Sequence, residues 1–319
     1  MEATDDAGEL FVIGGAEDKM RRRTVLREFV KSAGGEGARI AVVPTASSLG
    51  TEIVDVYRDV FTRLGAAEVV GVRPENREQA RDPAYAAALD GASGIFMTGG
   101  NQLKLSTVVA GTPFGQAIIA AHLRGATVGG TSAGASIQSS HMVAFGAGGA
   151  TPKQRMTQVA AGLGLLDNCV IDQHFEQRNR YGRLLMIVAQ NPQLLGLGVD
   201  EDTAAVVRRV DGSLRLRVIG RGAVTILDPA DLVTNSYEVK QSQPILVSGV
   251  RLHVLPAGAV FDLDKRILLT LGTAPVSQLD ELAPANADLR RLSRDIAAGD
   301  TSPTVFRRRL ARRQKGNSR

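Results

Sequence analysis

In the stretch VGGTSAGAS, residues 128–136, a serine stands between two glycines where a run of small apolar residues ends. A serine hydroxyl is a weak nucleophile until a base, usually histidine, takes its proton, and that histidine in turn needs a carboxylate to orient it. The G-x-S-x-G spacing alone decides nothing, since glycine, serine and alanine also fill ordinary crowded turns. If residues 126–129 form a strand and 132–139 open a helix, however, Ser132 lies on a strand–turn–helix elbow with its hydroxyl exposed. The backbone N–H of Ala133 then forms half of an oxyanion hole, and the helix N-terminus adds positive potential at the same place.

Four histidines could serve as the base. His122 lies in the helical AAHLRG, His253 alternates within the strand-like RLHVL, and His141 follows the elbow too closely to reach back to it. His174 fits best: it follows the apolar NCVID (168–172) at an expected strand end and precedes a polar entry to a helix. For the carboxylate, GLGVDEDTAAVV (196–207) brings three acids to the end of another apolar run. Glu201 is the choice, with Asp200 and Asp202 as close alternatives. The chain order is thus Ser, His, acid, whereas an α/β-hydrolase places its histidine last.

The elements around these residues alternate. LFVIGG (10–15), ARIAVVPTA (38–46), EVVGV (68–72), SGIFMTGG (93–100) and ATVGGTSAG (126–134) are apolar and often end in glycine, with amphipathic segments between them. That pattern predicts a parallel sheet covered on both faces, a doubly wound α/β fold whose sites lie beyond the carboxyl ends of the strands. From about residue 195 the pattern turns β-rich, with Asp211-Gly212 as a two-residue hairpin turn, and predicts an antiparallel C-terminal extension. No linker separates the halves, so residues 1–273 are expected to form a single catalytic domain. Residues 274–319 are expected to add a helix (286–299) and a basic, disordered tail.

Composition narrows the function classes. The chain has 319 residues, 44% hydrophobic and 22% charged, an ordinary balance for a globular protein. Its formal charge of +5 comes from the tail 307–319, which holds seven of the 38 basic residues and none of the 33 acids. The rest is slightly acidic, which argues against a nucleic-acid partner. Nothing reads as a membrane span or a signal peptide, and the single cysteine, Cys169, allows no intramolecular disulfide; a cytoplasmic location is expected. VIGGAEDK looks superficially like a phosphate loop but lacks the spacing of one, which disfavours a nucleotide-binding module.

Six stretches together resemble the cyanophycinase family of serine peptidases: FVIGGAEDK (11–19), VVPTAS (42–47), FMTGGNQLKL (96–105), GGTSAGAS (129–136), DQHFEQRNRYGRL (172–184) and GVDEDTA (198–204). The related aspartyl dipeptidases share the elbow but not the arginine-rich block. The resemblance implies a flavodoxin-like, class I glutamine amidotransferase-like three-layer sandwich with a mostly parallel sheet. It also implies hydrolysis of cyanophycin, a poly-aspartate carrying arginine on its side chains, to β-Asp-Arg dipeptides. The runner-up activity is that of a general aspartyl or isoaspartyl dipeptidase with the same triad.

On that resemblance Ser132 is the nucleophile, His174 the base and Glu201 the acid. Gln102, Asp172, Gln173, Arg178, Arg180 and Arg183 match positions associated with the substrate pocket. Arginine can grip a carboxylate in two places, and Asp or Gln can accept from a guanidinium. Gly100 is expected to give the second oxyanion donor beside Ala133, with Gly99 and Asn101 as alternatives. No metal or organic cofactor is required, and a homodimer is implied. Two features depart from the family pattern: Asn101 stands where many members have Asp, and the segment 144–156 carries no acid.

Overall fold

The computed structural model describes residues 5–240 and 242–270. Five short apolar runs form the strands β1 (Leu10–Ile13), β2 (Arg39–Val43), β3 (Glu68–Gly71), β4 (Gly94–Met97) and β5 (Thr127–Thr131). They lie parallel in the order β1-β5-β4-β2-β3. Successive side chains of a strand face opposite ways, and in β1, β2, β4 and β5 both faces are buried, while the edge strand β3 is largely exposed. Phe11, Ile13, Ile40, Val42 and Phe96 enter one apolar cluster, while Leu10, Val12, Ala41, Val43, Ile95 and Met97 enter another.

Helices cover both sides. The first cluster is completed by Leu26 and Phe29 of α1 (Thr24–Ser32) and by Tyr57 and Phe61 of α2 (Glu52–Arg63). The second is completed from α3 (Arg77–Arg81), α4 (Pro83–Ala87), α5 (Gln102–Val109) and α6 (Pro113–Leu123), with Leu105, Phe114 and Ile118 prominent. Asn76, Asp82, Asn101 and Thr112 cap these last four helices through their side chains. The result is the three-layer α/β sandwich expected from the alternating pattern.

The single turn α7 (Ala133–Ser136) leads into a hairpin of β6 (His141–Gly146) and β7 (Thr157–Ala161). Then follow β8 (Cys169–Gln173), α8 (Tyr181–Gln190), β9 (Leu195–Val199), β10 (Thr203–Val210), β11 (Ser213–Gly220) and β12 (Ala223–Asp228). The described chain ends with β13 (Val233–Thr234), β14 (Val247–Ser248), β15 (Arg251–Pro256), β16 (Val260–Asp262) and β17 (Ile267–Thr270). On the free side of β1 the main sheet continues antiparallel through β10, β11, β16 and β17 to nine strands. The expected turn between β10 and β11 is present: Val210 pairs with Ser213, and Asp211 and Gly212 both have positive φ.

One part of the topology differs from a single continuous sheet. β8 and β9 are parallel to each other but form a second, four-stranded sheet with β12 and β15, in the order β15-β12-β9-β8. An apolar run says that a strand is buried on both faces; it does not say which neighbour it pairs with. The helix expected over 286–299, the domain boundary at 273 and the basic tail lie outside the described residues. No helix among the described residues is long and apolar enough to cross a membrane.

Candidate active site

Ser132 immediately follows β5 and holds φ at +54° and ψ at −110°, a backbone region that a side chain rarely occupies. The surroundings fix it there. Its N–H donates to the carbonyl of Ile13 at 3.0 Å, and α7 starts at the next residue. Gly134 is required for this turn, because a Cβ there would lie 2.1 Å from the carbonyl oxygen of Met97. The helix is shorter than the expected 132–139, covering only residues 133–136. The carbonyls of Ile137 and Gln138 are taken by the N–H groups of Leu163 and Leu166, and the Gln138 amide turns back to Gly134. A single turn carries little macrodipole, so the positive potential at Ser132 rests on individual N–H groups.

His174 follows β8 and Glu201 lies just past β9, so the second sheet delivers both to the same strand-end region. His174 Nε2 lies 3.1 Å from Ser132 Oγ, and its Nδ1 lies 2.5 Å from Glu201 Oε1. With Nδ1 protonated and donating to Glu201, Nε2 is left to accept the serine proton. The imidazole is nearly buried, whereas about a third of the Glu201 side chain is exposed. Burial, chiefly, holds the His174 pKa below its ordinary 6.5; Arg178 and Arg180 add to the lowering, and Glu201 opposes it. The imidazole is therefore neutral, and able to accept a proton, at neutral pH. The ring also lies against Gly15, where a Cβ would come within 2.3 Å of it.

The two alternative acids do other work. Asp200 accepts from the N–H groups of Glu176 and Ala223, and Asp202 accepts from that of Asp18. Of the three acids, only Glu201 faces the imidazole. The other histidines lie elsewhere: His122 is buried in α6, its pKa lowered to about 4 by burial, His141 is exposed at the start of β6, and His253 packs on Phe261.

Among the described residues, no acceptor meets the N–H of Ala133, Gly99 or Gly100. The Asn101 N–H is engaged by the Ala46 carbonyl at 2.8 Å, which leaves the glycine pair as the available second donor. The side chain of Asn101 caps α5 by accepting from the Lys104 N–H at 2.9 Å. Asparagine and aspartate are interchangeable at such a cap, which accounts for the departure from the family pattern at this position.

The expected pocket residues fall into two groups. Arg178 is exposed near His174. The other five form one continuous hydrogen-bonded chain. Arg183 grips both oxygens of Asp172, through Nε at 2.6 Å and through Nη2, and its Nη1 reaches the Gly146 carbonyl. Arg180 Nη1 meets Asp172 at 3.2 Å and Gln173 Oε1 at 2.9 Å. Gln173 then donates to Gln102, and Gln102 to the Val143 carbonyl. Asp172, Gln173, Arg180 and Arg183 are all buried. The guanidinium facing Asp172 thus belongs to the protein itself, which makes this carboxylate an internal partner. The sequence could not separate this buried arrangement from a row of ligand contacts.

One residue near the site carried no sequence expectation of its own. Glu17, inside FVIGGAEDK, is buried directly behind the elbow and bonded to Thr131. A carboxylate two residues past a glycine pair at a strand end was the available signal.

The sequence profile of peptidase family S51 matches residues 10–215. A cyanophycinase from Trichormus variabilis is 43% identical over 263 residues, covering 82% of this chain and 87% of that protein. One from Geminocystis herdmanii is 40% identical over 251 residues, covering 78% and 91%. Among solved structures, a peptidase from an acI-B1 Actinobacterium superimposes with a TM-score of 0.58 at 23% identity, covering 80% of this chain and 97% of that one, a likeness of fold.

Proposed function

The chain belongs to peptidase family S51, and from that premise we propose that it hydrolyses the aspartyl backbone of cyanophycin to β-Asp-Arg dipeptides, with Ser132, His174 and Glu201 as its triad. The observation that carries the assignment of roles is the unbroken hydrogen-bond chain from Ser132 Oγ through His174 to Glu201. The choice of substrate rests on the curated relatives, which are cyanophycinases.

In the proposed reaction Ser132 Oγ forms a bond to the aspartyl carbonyl carbon while His174 Nε2 takes its proton. Charge collects on the carbonyl oxygen, where the N–H groups of Ala133 and Gly100 receive it; a donor of this kind is typically worth ~3 kcal/mol in the transition state. The C–N bond breaks as His174 passes its proton to the departing amine. Water then loses a proton to His174 and attacks the acyl-enzyme, and the proton returns to Ser132 as the acid is released. Glu201 keeps the imidazole in the right tautomer and stabilises it while charged.

In this reading Arg178, exposed near His174, meets a substrate carboxylate, and the buried chain from Gln102 to Arg183 supports the wall behind it. We also read the protein as a cytoplasmic homodimer whose residues 1–273 make up the catalytic domain. Sedimentation of the full chain tests the dimer.

Incubation with purified cyanophycin followed by mass analysis tests the activity. β-Asp-Arg should accumulate as the polymer disappears. Intact polymer, alongside rapid cleavage of free aspartyl dipeptides, would replace this reading with that of a general dipeptidase.

A further inference from the structure

Three consecutive carbonyls at the end of β1 hold the backbone of the site. Ile13 O accepts from the N–H of Ser132 at 3.0 Å, Gly14 O from that of His174 at 2.8 Å, and Gly15 O from that of Asp202 at 2.9 Å. The nucleophile, the base and the immediate neighbour of the acid are therefore hung from adjacent peptide units of one short segment. The segment is also the junction between the two sheets, since Ser132 comes from the main sheet and His174 and Glu201 from the second. Further on, the Asp18 N–H donates to Asp202 Oδ1 at 2.8 Å, which ties the same segment to the acid-bearing loop a second time.

A side chain ties this segment to the elbow as well: that of Glu17. Thr131, the residue before the nucleophile, donates its hydroxyl to Glu17 Oε2 at 2.5 Å. Tyr57 of α2 donates to Oε1 at 2.5 Å, and Lys19 Nζ meets the same oxygen at 2.6 Å while lying over the Tyr57 ring. Glu17, Thr131 and Tyr57 are each at most 4% exposed. A buried carboxylate without such partners would be strongly disfavoured. Here one cation and two hydroxyls satisfy it. Burial raises its pKa, but the charge of Lys19 and the bonds from Lys19, Thr131 and Tyr57 outweigh that and leave it below the ordinary carboxylate range.

We propose that Glu17 is a positioning residue for acylation: through Thr131 it locks the strained Ser132 backbone to the segment that also carries His174 and the acid loop. It touches no reacting atom. Its effect is on the alignment of Ser132 Oγ with His174 Nε2, two groups delivered by different sheets, whose separation no single strand fixes. Misplacement of reacting groups by about an ångström can lower a rate by ~10²-fold. Substrate binding, for which Arg178 is the proposed contact, should be affected far less.

The inference rests on Ser132 being the nucleophile. It is tested by the rate at which a fluorophosphonate labels Ser132, together with kcat and KM on cyanophycin, for the full-length protein and three variants. Glu17→Gln keeps an acceptor for Thr131 but removes the charge that holds Lys19. Thr131→Val removes the hydroxyl that Glu17 grips, and Thr131→Ser restores it. The expected result is labelling and kcat lowered ~10- to 100-fold in Glu17→Gln and Thr131→Val, with KM nearly unchanged and Thr131→Ser close to wild type. If Glu17→Gln does not fold, the two Thr131 variants decide by themselves.

Folded variants that label at the wild-type rate would overturn the proposal. So would a loss confined to KM, or a Thr131→Ser variant as slow as Thr131→Val. A wild-type chain that takes no label at Ser132 would instead remove the serine-peptidase assignment on which the inference stands.

Discussion

Two polar clusters diverge from the end of β8, and they are built on opposite rules. Asp172 and Gln173, the last residues of the strand, point into the chain with Arg180, Arg183 and Gln102, where each carboxylate oxygen is bonded and the charged groups are buried. His174, the next residue, enters the hydrogen-bonded chain proposed as the triad, where Glu201 is partly exposed and the serine backbone is strained. The first cluster is held by buried ion pairs and hydrogen bonds, one carboxylate between two guanidiniums. The second is arranged so that one proton can move between atoms about 3 Å apart. Proximity in sequence says little about which rule a residue obeys; the partner it meets decides.

The largest effect should come from breaking the proton path. Ser132→Ala is expected to lower kcat by roughly 10⁶-fold and to leave the melting temperature near wild type, because one small atom is lost at a partly open turn. His174→Ala should lower it almost as far. Glu201→Gln keeps the size and one hydrogen bond but mis-sets the imidazole, so a loss of roughly 10⁴-fold is expected. Full activity in that variant would mean that the carboxylate facing His174 in the fold is not the one used in catalysis.

The neighbouring cluster should fail in a different measurement. Arg183→Met takes away the bidentate partner of a fully buried carboxylate and leaves Asp172 with Arg180 alone. Breaking a buried pair in this way costs about 3–5 kcal/mol, and thermal unfolding should register it as a melting point lower by several degrees. Labelling of Ser132 per folded molecule should change much less. If instead the variant melted normally and lost all activity, the cluster would belong with the ligand contacts.

The contrast also explains what could be read in the sequence. The elbow was legible because its requirements are local: small residues at 130, 133 and 134 and a strand that stops at Thr131. The central parallel strands were legible for the same reason, since burial on both faces leaves a continuous apolar run; β3, at the edge, is apolar though only Val69 is buried. Pairing was not. Nothing in NCVID or LLGLGV announces that β8 and β9 leave the main sheet for a second one. The sequence favours Glu201 with Asp200 and Asp202 as close alternatives, and the fold separates them: Glu201 meets the imidazole, while the other two accept from backbone N–H groups. Glu17 went unassigned because its partners, Thr131 and Tyr57, are 114 and 40 residues away. Long-range polar partners leave no periodic trace in a chain.

The smallest expected effect probes the boundary between the two clusters. The acid limb of kcat/KM reports the base in the free enzyme. As the pH falls, His174 gains a proton on Nε2 and can no longer accept one from Ser132, so the rate is lost on the acid side. Burial, followed by Arg178 and Arg180, favours the neutral ring, so the midpoint should lie below 6.5. Arg180 remains charged through this range, its own pKa lowered only to about 10, chiefly by burial, so it should add no limb near neutrality. Arg178 is exposed and acts on the ring by charge alone, through a medium that salt can screen. Arg178→Ala should therefore move the midpoint upward by a fraction of a unit, and the difference from wild type should shrink as ionic strength rises. An unmoved or downward-shifted limb at low salt would show that the imidazole does not sense that cation.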